Sequence, residues 1–221
     1  REKLDVLYRH QVSRISVNPQ TMKQETLDII GRKASVEQVL TAYRLAREVG
    51  FDNINMDLIL GLPGELEADV QRTIEKIVEL SPDSLTVHSL AIKRASRLNQ
   101  WIQENGVSML HNTDETMKIA AAGAEKLGMK PYYLYRQKYM SGSFENVGWT
   151  KPGGTGLYNI YIMEELHSIL PLGAGGSTKM VGGGQIRRAF NAKYPREYID
   201  RPEKRRANLM DFARFYAEQG E

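Results

Sequence analysis

The chain has 221 residues, of which 41% are hydrophobic and 26% charged, so its composition is that of a globular protein and not of a disordered or fibrous one. Its 30 basic residues are interleaved with 27 acidic ones for a net charge of +3, and we therefore exclude nucleic acid as a partner. Cysteine is absent, which excludes disulfides and cysteine-ligated clusters within the chain and fits a cytoplasmic setting. No apolar run approaches the ~20 residues of a membrane helix, so we expect no membrane contact.

Strand and helix patterns alternate along the first half of the chain. The clearest helix has a capping box of Ser35 with Gln38 at its start and Gly50 at its end. The strand patterns lie at residues 14–17, 53–60 and 84–90, and the helix patterns between them lie at residues 36–49 and 68–80. The order β, α, β, α, β predicts a parallel sheet with right-handed crossovers, which is part of a (β/α) barrel or a small open sheet.

The second half of the chain has a different pattern. The elements that we predict there are helices at residues 114–127 and 203–216 and strands at residues 131–135, 157–162 and 168–172. These strands suggest an antiparallel or mixed α+β portion that covers the sheet, so we divide the chain into residues 1–110 and 111–221. We interpret residues 182–184 as a flexible connector, and Arg187-Arg188 as part of a solvated helix face.

Three polar residues lie on or beside the predicted parallel strands. Asp57 precedes a turn of glycine and proline near the carboxyl end of its strand, where it can hydrogen-bond a ribose or polyol or can cap a local N–H group. Gln20 follows the first strand, where its amide can face a ligand or hold the loop. We interpret His88 as a hydrogen-bonded structural histidine, because no acid or second histidine is spaced along the sequence to work with it.

Four segments resemble, in the same order, the oxygen-independent coproporphyrinogen III oxidase family of radical S-adenosylmethionine enzymes. The segments are residues 14–20, 57–65, 82–90 and 132–138. The second of them, Asp57-Leu58-Ile59-Leu60-Gly61-Leu62-Pro63-Gly64-Glu65, contains an Asp-Leu-Ile-x-Gly-Leu-Pro-Gly element that is characteristic of radical S-adenosylmethionine enzymes. The tyrosine-rich fourth segment makes the HemZ-type coproporphyrinogen dehydrogenase branch the most similar one.

This resemblance implies a partial radical-SAM (β/α) barrel of three C-terminal βα units with an α+β C-terminal extension. In such enzymes a [4Fe-4S] cluster reduces S-adenosylmethionine, and the resulting radical takes hydrogen from a propionate, which loses carbon dioxide to become a vinyl group. The implied partners are a tetrapyrrole substrate and an electron donor for the cluster. The residues that match contacts to S-adenosylmethionine are Gln20, Arg32, Asp57 (ribose), Ile59 (adenine) and Ala91.

The chain also departs from the family pattern. The three cysteines that hold the cluster are absent, as are the first strands of the barrel, so we expect this chain alone to be inactive. It begins with Arg1, which suggests that it is part of a longer protein, an oxidoreductase of haem biosynthesis. No catalytic residue is assigned. We hypothesise that Lys93, Arg94, Arg136 and Lys138 pair with the propionates of the substrate. These side chains are expected at the mouth of the barrel, where their positive charge would complement the negative charge of the propionates.

Other functions remain open at this point. A haem-binding or haem-transfer protein of the same superfamily would carry a tetrapyrrole without oxidising it, and another radical-SAM enzyme would act on another substrate. An unrelated (β/α) enzyme for a phosphorylated substrate would need a catalytic acid and base, which we do not find in the sequence. A purely structural role fits poorly with glycine turns and polar residues repeated at the same strand ends.

Overall fold

A computed structural model describes residues 1–92, 97–106, 110–136 and 141–219, which belong to two compact units, Arg1–Gly156 and Leu157–Glu221. The helices of the first unit are α1 (Glu2–Arg9), α2 (Gln24–Ile29), α3 (Val36–Val49), α4 (Glu67–Leu80), α5 (Arg97–Asn105) and α6 (Asp114–Lys126). Its strands are β1 (Ile15–Ser16), β2 (Ile54–Leu60), β3 (Ser84–Ser89), β4 (Lys130–Tyr135) and β5 (Asn146–Thr150). The second unit contains α7 (Leu157–Met163), β6 (Ser177–Gly182), β7 (Gln185–Phe190), α8 (Pro195–Asp200) and α9 (Pro202–Gln219). Within the described ranges, no helix is long and apolar enough to cross a membrane.

Helix α3 shows how the local sequence sets the ends of an element. Ser35 Oγ accepts from the Gln38 N–H (3.2 Å) and Gln38 Oε1 accepts from the Ser35 N–H (2.9 Å), which confirms the predicted capping box. At the other end Gly50 has a φ of 112°, a left-handed conformation that ends the helix. The Arg47 guanidinium then reaches the Asp83 carboxylate at 2.7 Å and so ties the last turn of α3 to the start of β3.

The first unit is organised around a five-stranded sheet of order β1-β2-β3-β5-β4. Strands β1, β2 and β3 pair in parallel, which confirms the predicted β-α-β-α-β order. Strand β5 pairs antiparallel with β3, and β4 pairs antiparallel with β5, so β4 runs in the same direction as β3. The sheet is therefore mixed, and the carboxyl ends of β2, β3 and β4 lie at the same edge.

The two faces of this sheet differ in polarity. Met56, Leu58 and Leu60 are buried on one face of β2, in a hydrophobic core with side chains of α3, α4 and α6. Helices α4 and α6 approach closely because Gly123 has no side chain, and a Cβ atom there would lie 2.2 Å from Ile74 Cγ2. The core covers one face of the sheet, and polar side chains of β2 and β3 lie on the other.

The second unit is built on a hairpin of β6 and β7. Gly183 and Gly184, with φ angles of 54° and 72°, form its two-residue turn, for which left-handed residues are required. Lys179 of β6 is buried, and its ammonium donates to the Ile162 carbonyl oxygen at 3.0 Å. Helix α9 packs on this hairpin and buries Phe215.

Several predictions for the second half of the chain are wrong. Residues 157–162 form helix α7 and not a strand, and residues 168–172 contribute only a bridge at Ile169. Residues 182–184 contain the hairpin turn and not a flexible connector, and Arg187-Arg188 lies in strand β7 and not on a helix. Strands β4 and β5 extend the sheet instead of covering it. Tyrosine and isoleucine favour strands only where a partner strand offers a pleated surface, so their abundance was a poor guide here.

Other predictions for this half are confirmed or stay open. The helices predicted at residues 114–127 and 203–216 and the strand at residues 131–135 are α6, α9 and β4. Elements α5, β5, β6, β7 and α8 were not predicted. The boundary that we drew after residue 110 lies inside the first compact unit, and the division into a barrel part and an α+β part stays a prediction.

Candidate functional site

Alternation on two neighbouring parallel strands assembles a polar face on the sheet. Asn55 and Asp57 lie on one face of β2, and Thr86 and His88 lie on the same face of β3, because Asp57 is opposite Thr86 in the register. The side chains of Asp57 and His88 are 23% and 27% exposed, so both are accessible from this face. We call this surface, formed by Asn55, Asp57, Thr86, His88 and the tyrosines described below, the polar face.

The carboxylate of Asp57 is held through one oxygen only. Asn55 Nδ2 donates to Asp57 Oδ1 at 2.7 Å, and Thr86 Oγ1 donates to Asn55 Oδ1 at 3.2 Å. The Tyr133 ring of β4 lies over Gly148, which is opposite Thr86 in the register, so this tyrosine borders the same row of polar side chains. In the part of the chain that the structure describes, no group hydrogen-bonds Asp57 Oδ2. This oxygen can therefore accept a hydrogen bond from a ligand.

His88 lies between Asp57 and Tyr135. Its Nδ1 is 3.2 Å from Tyr135 Oη, and its Nε2 is 3.9 Å from Asp57 Oδ1. Burial lowers the pKa of His88, and the neighbouring Asp57 carboxylate opposes this effect only in part. The imidazole is therefore neutral at neutral pH. The prediction that His88 is hydrogen-bonded is confirmed, but the reasoning that it has no acidic neighbour was wrong, because Asp57 is contributed by the adjacent strand and not by nearby sequence.

Two tyrosines of β4 cover the sheet beside His88. The Tyr133 ring lies over Gly148 of β5, where a Cβ atom would come within 1.8 Å of Tyr133 Cε1. The Tyr135 ring is nearly parallel to that of Tyr133, with an angle of 5° and 6.2 Å between centroids. Burial raises the pKa of Tyr133 to about 12, so its phenol stays protonated at neutral pH. The absence of a side chain at Gly148 is what allows this arrangement.

Gln20 is joined to the same strand through its backbone. Its N–H donates to the Asp57 carbonyl oxygen (3.0 Å), and its own carbonyl oxygen accepts from the Ile59 N–H (2.9 Å). Gln20 has a φ of 68°, which is uncommon for a residue with a side chain and which is found at functional sites. Gln20, Asp57 and Ile59 are therefore neighbours.

A buried carboxylate fixes the loop that carries Gln20. Glu65 is 2% exposed, and its Oε1 accepts from Thr21 Oγ1 at 2.6 Å. Lys23 donates to the Gly64 carbonyl oxygen at 3.0 Å, which joins the same two loops a second time. Burial raises the pKa of Glu65, although the Thr21 hydrogen bond opposes the shift. The turn after β2 is therefore tied to the loop after β1.

The remaining predicted site residues are less closely connected. Ala91 follows Leu90, whose N–H donates to the Leu60 carbonyl oxygen at 2.9 Å, so it lies beside the carboxyl end of β2. Arg32 is exposed in the loop after α2, and no hydrogen bond links its side chain to the polar face within the described ranges. Arg136 follows β4, is exposed, and lies 3.5 Å from Glu145. The other three predicted substrate contacts, Lys93, Arg94 and Lys138, lie outside the described residues.

Sequence reasoning did not identify Asn55, Thr86, Tyr133 or Tyr135 as parts of this site. The available signal was the period-two spacing of polar residues, at 55 and 57 in one strand and at 86 and 88 in the next. Parallel pairing places such residues side by side. The tyrosines could not be added in this way, because β4 reaches the polar face only through the antiparallel strand β5.

The residues present fit one of the two implied cofactors and not the other. A [4Fe-4S] cluster requires thiolates, and the sequence contains no cysteine. The part of the chain that the structure describes also has no group of three His, Asp or Glu residues that could hold a metal ion. By contrast, the open oxygen of Asp57, which lies in the middle of β2 on the accessible polar face and not near the strand end as predicted, suits a sugar hydroxyl such as S-adenosylmethionine would provide.

Several known proteins are similar to this chain in sequence. Residues 1–77 match the profile of the radical SAM superfamily. Over 204 residues, 91% of the chain, the sequence is 42% identical to the oxygen-independent coproporphyrinogen-III oxidase-like protein HemZ of Bacillus subtilis and covers 41% of it. It is 36% identical over 135 residues, 60% of the chain, to the heme chaperone HemW of Bacillus subtilis and covers 36% of that protein.

A solved structure supports the same relationship at the level of the fold. The coproporphyrinogen III oxidase HemN of Escherichia coli, a radical SAM enzyme, superimposes on 91% of the chain with a TM-score of 0.62 and 20% identity. The match covers 46% of that protein, and the chain thus spans less than half the length of each of these relatives. Residues 1–77 therefore belong to the radical SAM superfamily, and the chain over most of its length is a relative of the oxygen-independent coproporphyrinogen III oxidase-like proteins.

Proposed function

We propose that this chain is the S-adenosylmethionine-binding part of an oxygen-independent coproporphyrinogen III oxidase or dehydrogenase, an oxidoreductase of haem biosynthesis. The observation that carries the proposal is the Asp57 carboxylate, with one oxygen held by Asn55 at 2.7 Å and the other open on the polar face. The 42% identity to HemZ supports the substrate class. In this proposal the five-stranded sheet is part of a (β/α) barrel.

The residues of the chain would bind and orient the cofactor. Asp57 would accept from a ribose hydroxyl, and Gln20, Ile59 and Ala91 would line the same edge of the sheet, with Arg32 as a further contact. When bound, S-adenosylmethionine supplies the radical chemistry of the superfamily, which removes hydrogen from a substrate propionate. A [4Fe-4S] cluster would need ligands from outside these residues, and an electron donor to reduce it.

The substrate would be a tetrapyrrole with anionic propionates. Arg136 directly follows β4, whose carboxyl end lies at the same sheet edge as those of β2 and β3. Its ion pair with Glu145 is exposed and 3.5 Å long, and such a pair contributes little stability, so Arg136 can exchange it for a propionate. We keep Lys93, Arg94 and Lys138 as proposed partners of the other propionates on the basis of charge alone.

Calorimetric titration of the chain with S-adenosylmethionine tests the binding role. We expect measurable binding and a loss of at least about tenfold in affinity in Asp57→Asn, because a hydrogen bond to a charged group contributes roughly 1.5–3 kcal/mol. Asp52→Asn makes the same chemical change at an exposed position and should bind like the wild type. Absence of binding, or equal affinity in Asp57→Asn, would overturn the proposal.

The relationship to HemW favours a second function, a tetrapyrrole carrier that does not oxidise its ligand. HemW is named a heme chaperone and is 36% identical to the chain over 135 residues. An anaerobic assay of the full-length protein with coproporphyrinogen III, S-adenosylmethionine and a reductant separates the two functions. Decarboxylated products detected by mass spectrometry support the oxidase. Haem binding seen by absorption, with no decarboxylated product, supports the carrier.

A further inference from the structure

His88 is a polar side chain of this face that the proposed roles leave unused. Its Nε2 lies 3.9 Å from Asp57 Oδ1, a distance that is too long for a hydrogen bond between them. Two atoms at this separation can nevertheless both lie within hydrogen-bond distance of a third atom placed between them. Asp57 Oδ1 accepts from Asn55 but has a second lone pair, so one hydroxyl group can reach both this oxygen and His88 Nε2, while the neighbouring hydroxyl of a diol reaches the open Oδ2.

Tyr135 and Asp57 together favour one tautomer of His88. A phenol at neutral pH has an O–H group to donate, and Nδ1, 3.2 Å from Tyr135 Oη, accepts it when the proton is on Nε2. The Asp57 carboxylate favours the same tautomer, because it stabilises an N–H group that points towards it. Burial lowers the pKa of His88 and so keeps the ring neutral. His88 therefore presents a donor beside the acceptor oxygens of Asp57.

We propose that His88 is a second ligand of the ribose diol, with one hydroxyl donating to Asp57 and accepting from His88 Nε2–H. A hydroxyl group is both a hydrogen-bond donor and an acceptor. The Asp57 carboxylate can accept its hydrogen while His88 Nε2–H donates to its oxygen, so the pair is selective for a hydroxyl group. A carboxylate alone would also accept a hydrogen bond from an amide or ammonium group. Tyr135 is a positioning residue, which acts by fixing the tautomer of His88. The proposal rests on the proposed function, because the diol belongs to S-adenosylmethionine.

The test compares ligands that differ by one hydroxyl. Wild type and His88→Phe are titrated with S-adenosylmethionine, adenosine, 2′-deoxyadenosine and 3′-deoxyadenosine. We expect His88→Phe to bind S-adenosylmethionine and adenosine about fivefold more weakly, the effect of one neutral hydrogen bond. The deoxy analogue that lacks the bridging hydroxyl should bind wild type and His88→Phe equally. His88→Gln, which keeps an N–H donor, should recover part of the loss, and His167→Phe in the second unit should bind like the wild type.

A spectroscopic readout is independent of affinity. Nitrogen NMR of the ring should show the Nε2–H tautomer of His88 in the wild type and a mixture of tautomers in Tyr135→Phe. Unchanged affinity for all ligands in His88→Phe, together with weakened binding in Asp57→Asn, would overturn the role of His88 and leave the proposed function intact. No binding of S-adenosylmethionine to the wild type would overturn the proposed function, and this inference with it.

Discussion

A single methyl group added at Gly148 tests the arrangement of the polar face. In Gly148→Ala the new Cβ would lie 1.8 Å from Cε1 and 2.3 Å from Cδ1 of Tyr133. Non-bonded carbon atoms are in favourable contact only at about 3.5–4.0 Å, so the ring must move by roughly 1.5 Å. The backbone of Gly148 cannot move away instead, because β5 is hydrogen-bonded on both sides, to β3 and to β4.

Three contributions set the expected change in stability. Overpacking of this kind costs about 1–3 kcal/mol, and displacement of Tyr133 also exposes part of its buried ring to water, which costs about 1 kcal/mol. The lower conformational entropy of alanine in the unfolded chain returns roughly 0.5–1 kcal/mol. We therefore expect Gly148→Ala to lower the free energy of unfolding by roughly 2 kcal/mol, measured by urea denaturation.

The titration of Tyr133 reports the movement of the ring directly. Burial raises the pKa of this phenol to about 12, and carbon NMR of the tyrosine ring can follow it. Once the ring is displaced into solvent, its pKa should fall towards the ordinary value of about 10. In a Tyr133→Ala background the clash is absent, so Gly148→Ala should there be neutral or slightly stabilising. An unchanged tyrosine titration and unchanged stability in Gly148→Ala would refute the placement of the ring over Gly148.

Three other substitutions probe the Glu65 contact between two loops, the packing of α4 on α6, and the Asp57 carboxylate. Glu65→Gln should be at least as stable as wild type at pH 7, since the raised pKa means that ionised Glu65 opposes folding. As the pH falls through this raised pKa, the wild-type residue becomes protonated, so its stability relative to the variant should rise. A difference between the two denaturation curves that does not change with pH would contradict this. Gly123→Ala should destabilise the chain by roughly 1–2 kcal/mol, because its Cβ would lie 2.2 Å from Ile74 Cγ2, and a gain in melting temperature would show that α4 and α6 are not in close contact. Asn55→Asp replaces a hydrogen-bond donor to Asp57 by a second carboxylate. The free energy of unfolding should therefore fall by roughly 1–3 kcal/mol at pH 8 and by less at pH 5. An equal decrease at both pH values would argue against the contact at 2.7 Å.

The first half of the fold could be predicted because its signals are local. The capping box of Ser35 and Gln38, the left-handed Gly50 and the apolar stripe between them lie within one helix and decide its ends. The assignment of Asp57 to the second of three parallel strands also followed from sequence, because parallel strands interrupted by helices leave few possible arrangements. Its place in the middle of β2, and not near the end, was within the usual uncertainty of strand boundaries.

The rest depended on contacts between distant parts of the chain. His88 and Tyr135 are 47 residues apart, and nothing in either segment shows that an antiparallel pair of strands brings them together. Helix α7 was missed for a related reason, because its Tyr and Ile residues are intrinsically strand-prone and its helical state is set by surroundings that the sequence does not display. The open oxygen of Asp57 became visible only once Asn55 was seen to hold the other.

Because β4 lies at the edge of the sheet, the tyrosines of the polar face should stay assembled for shorter times than the residues on β2. Within the described ranges β4 pairs only with β5, at the margin of the sheet, whereas β2 lies between β1 and β3. Marginal strands separate transiently at a smaller free energy than inner ones, and amide hydrogen exchange detects such openings. Each opening of β4 would withdraw Tyr135 from His88 while Asp57 and Asn55 stay assembled. The acidic part would thus persist through fluctuations that make and break the aromatic part.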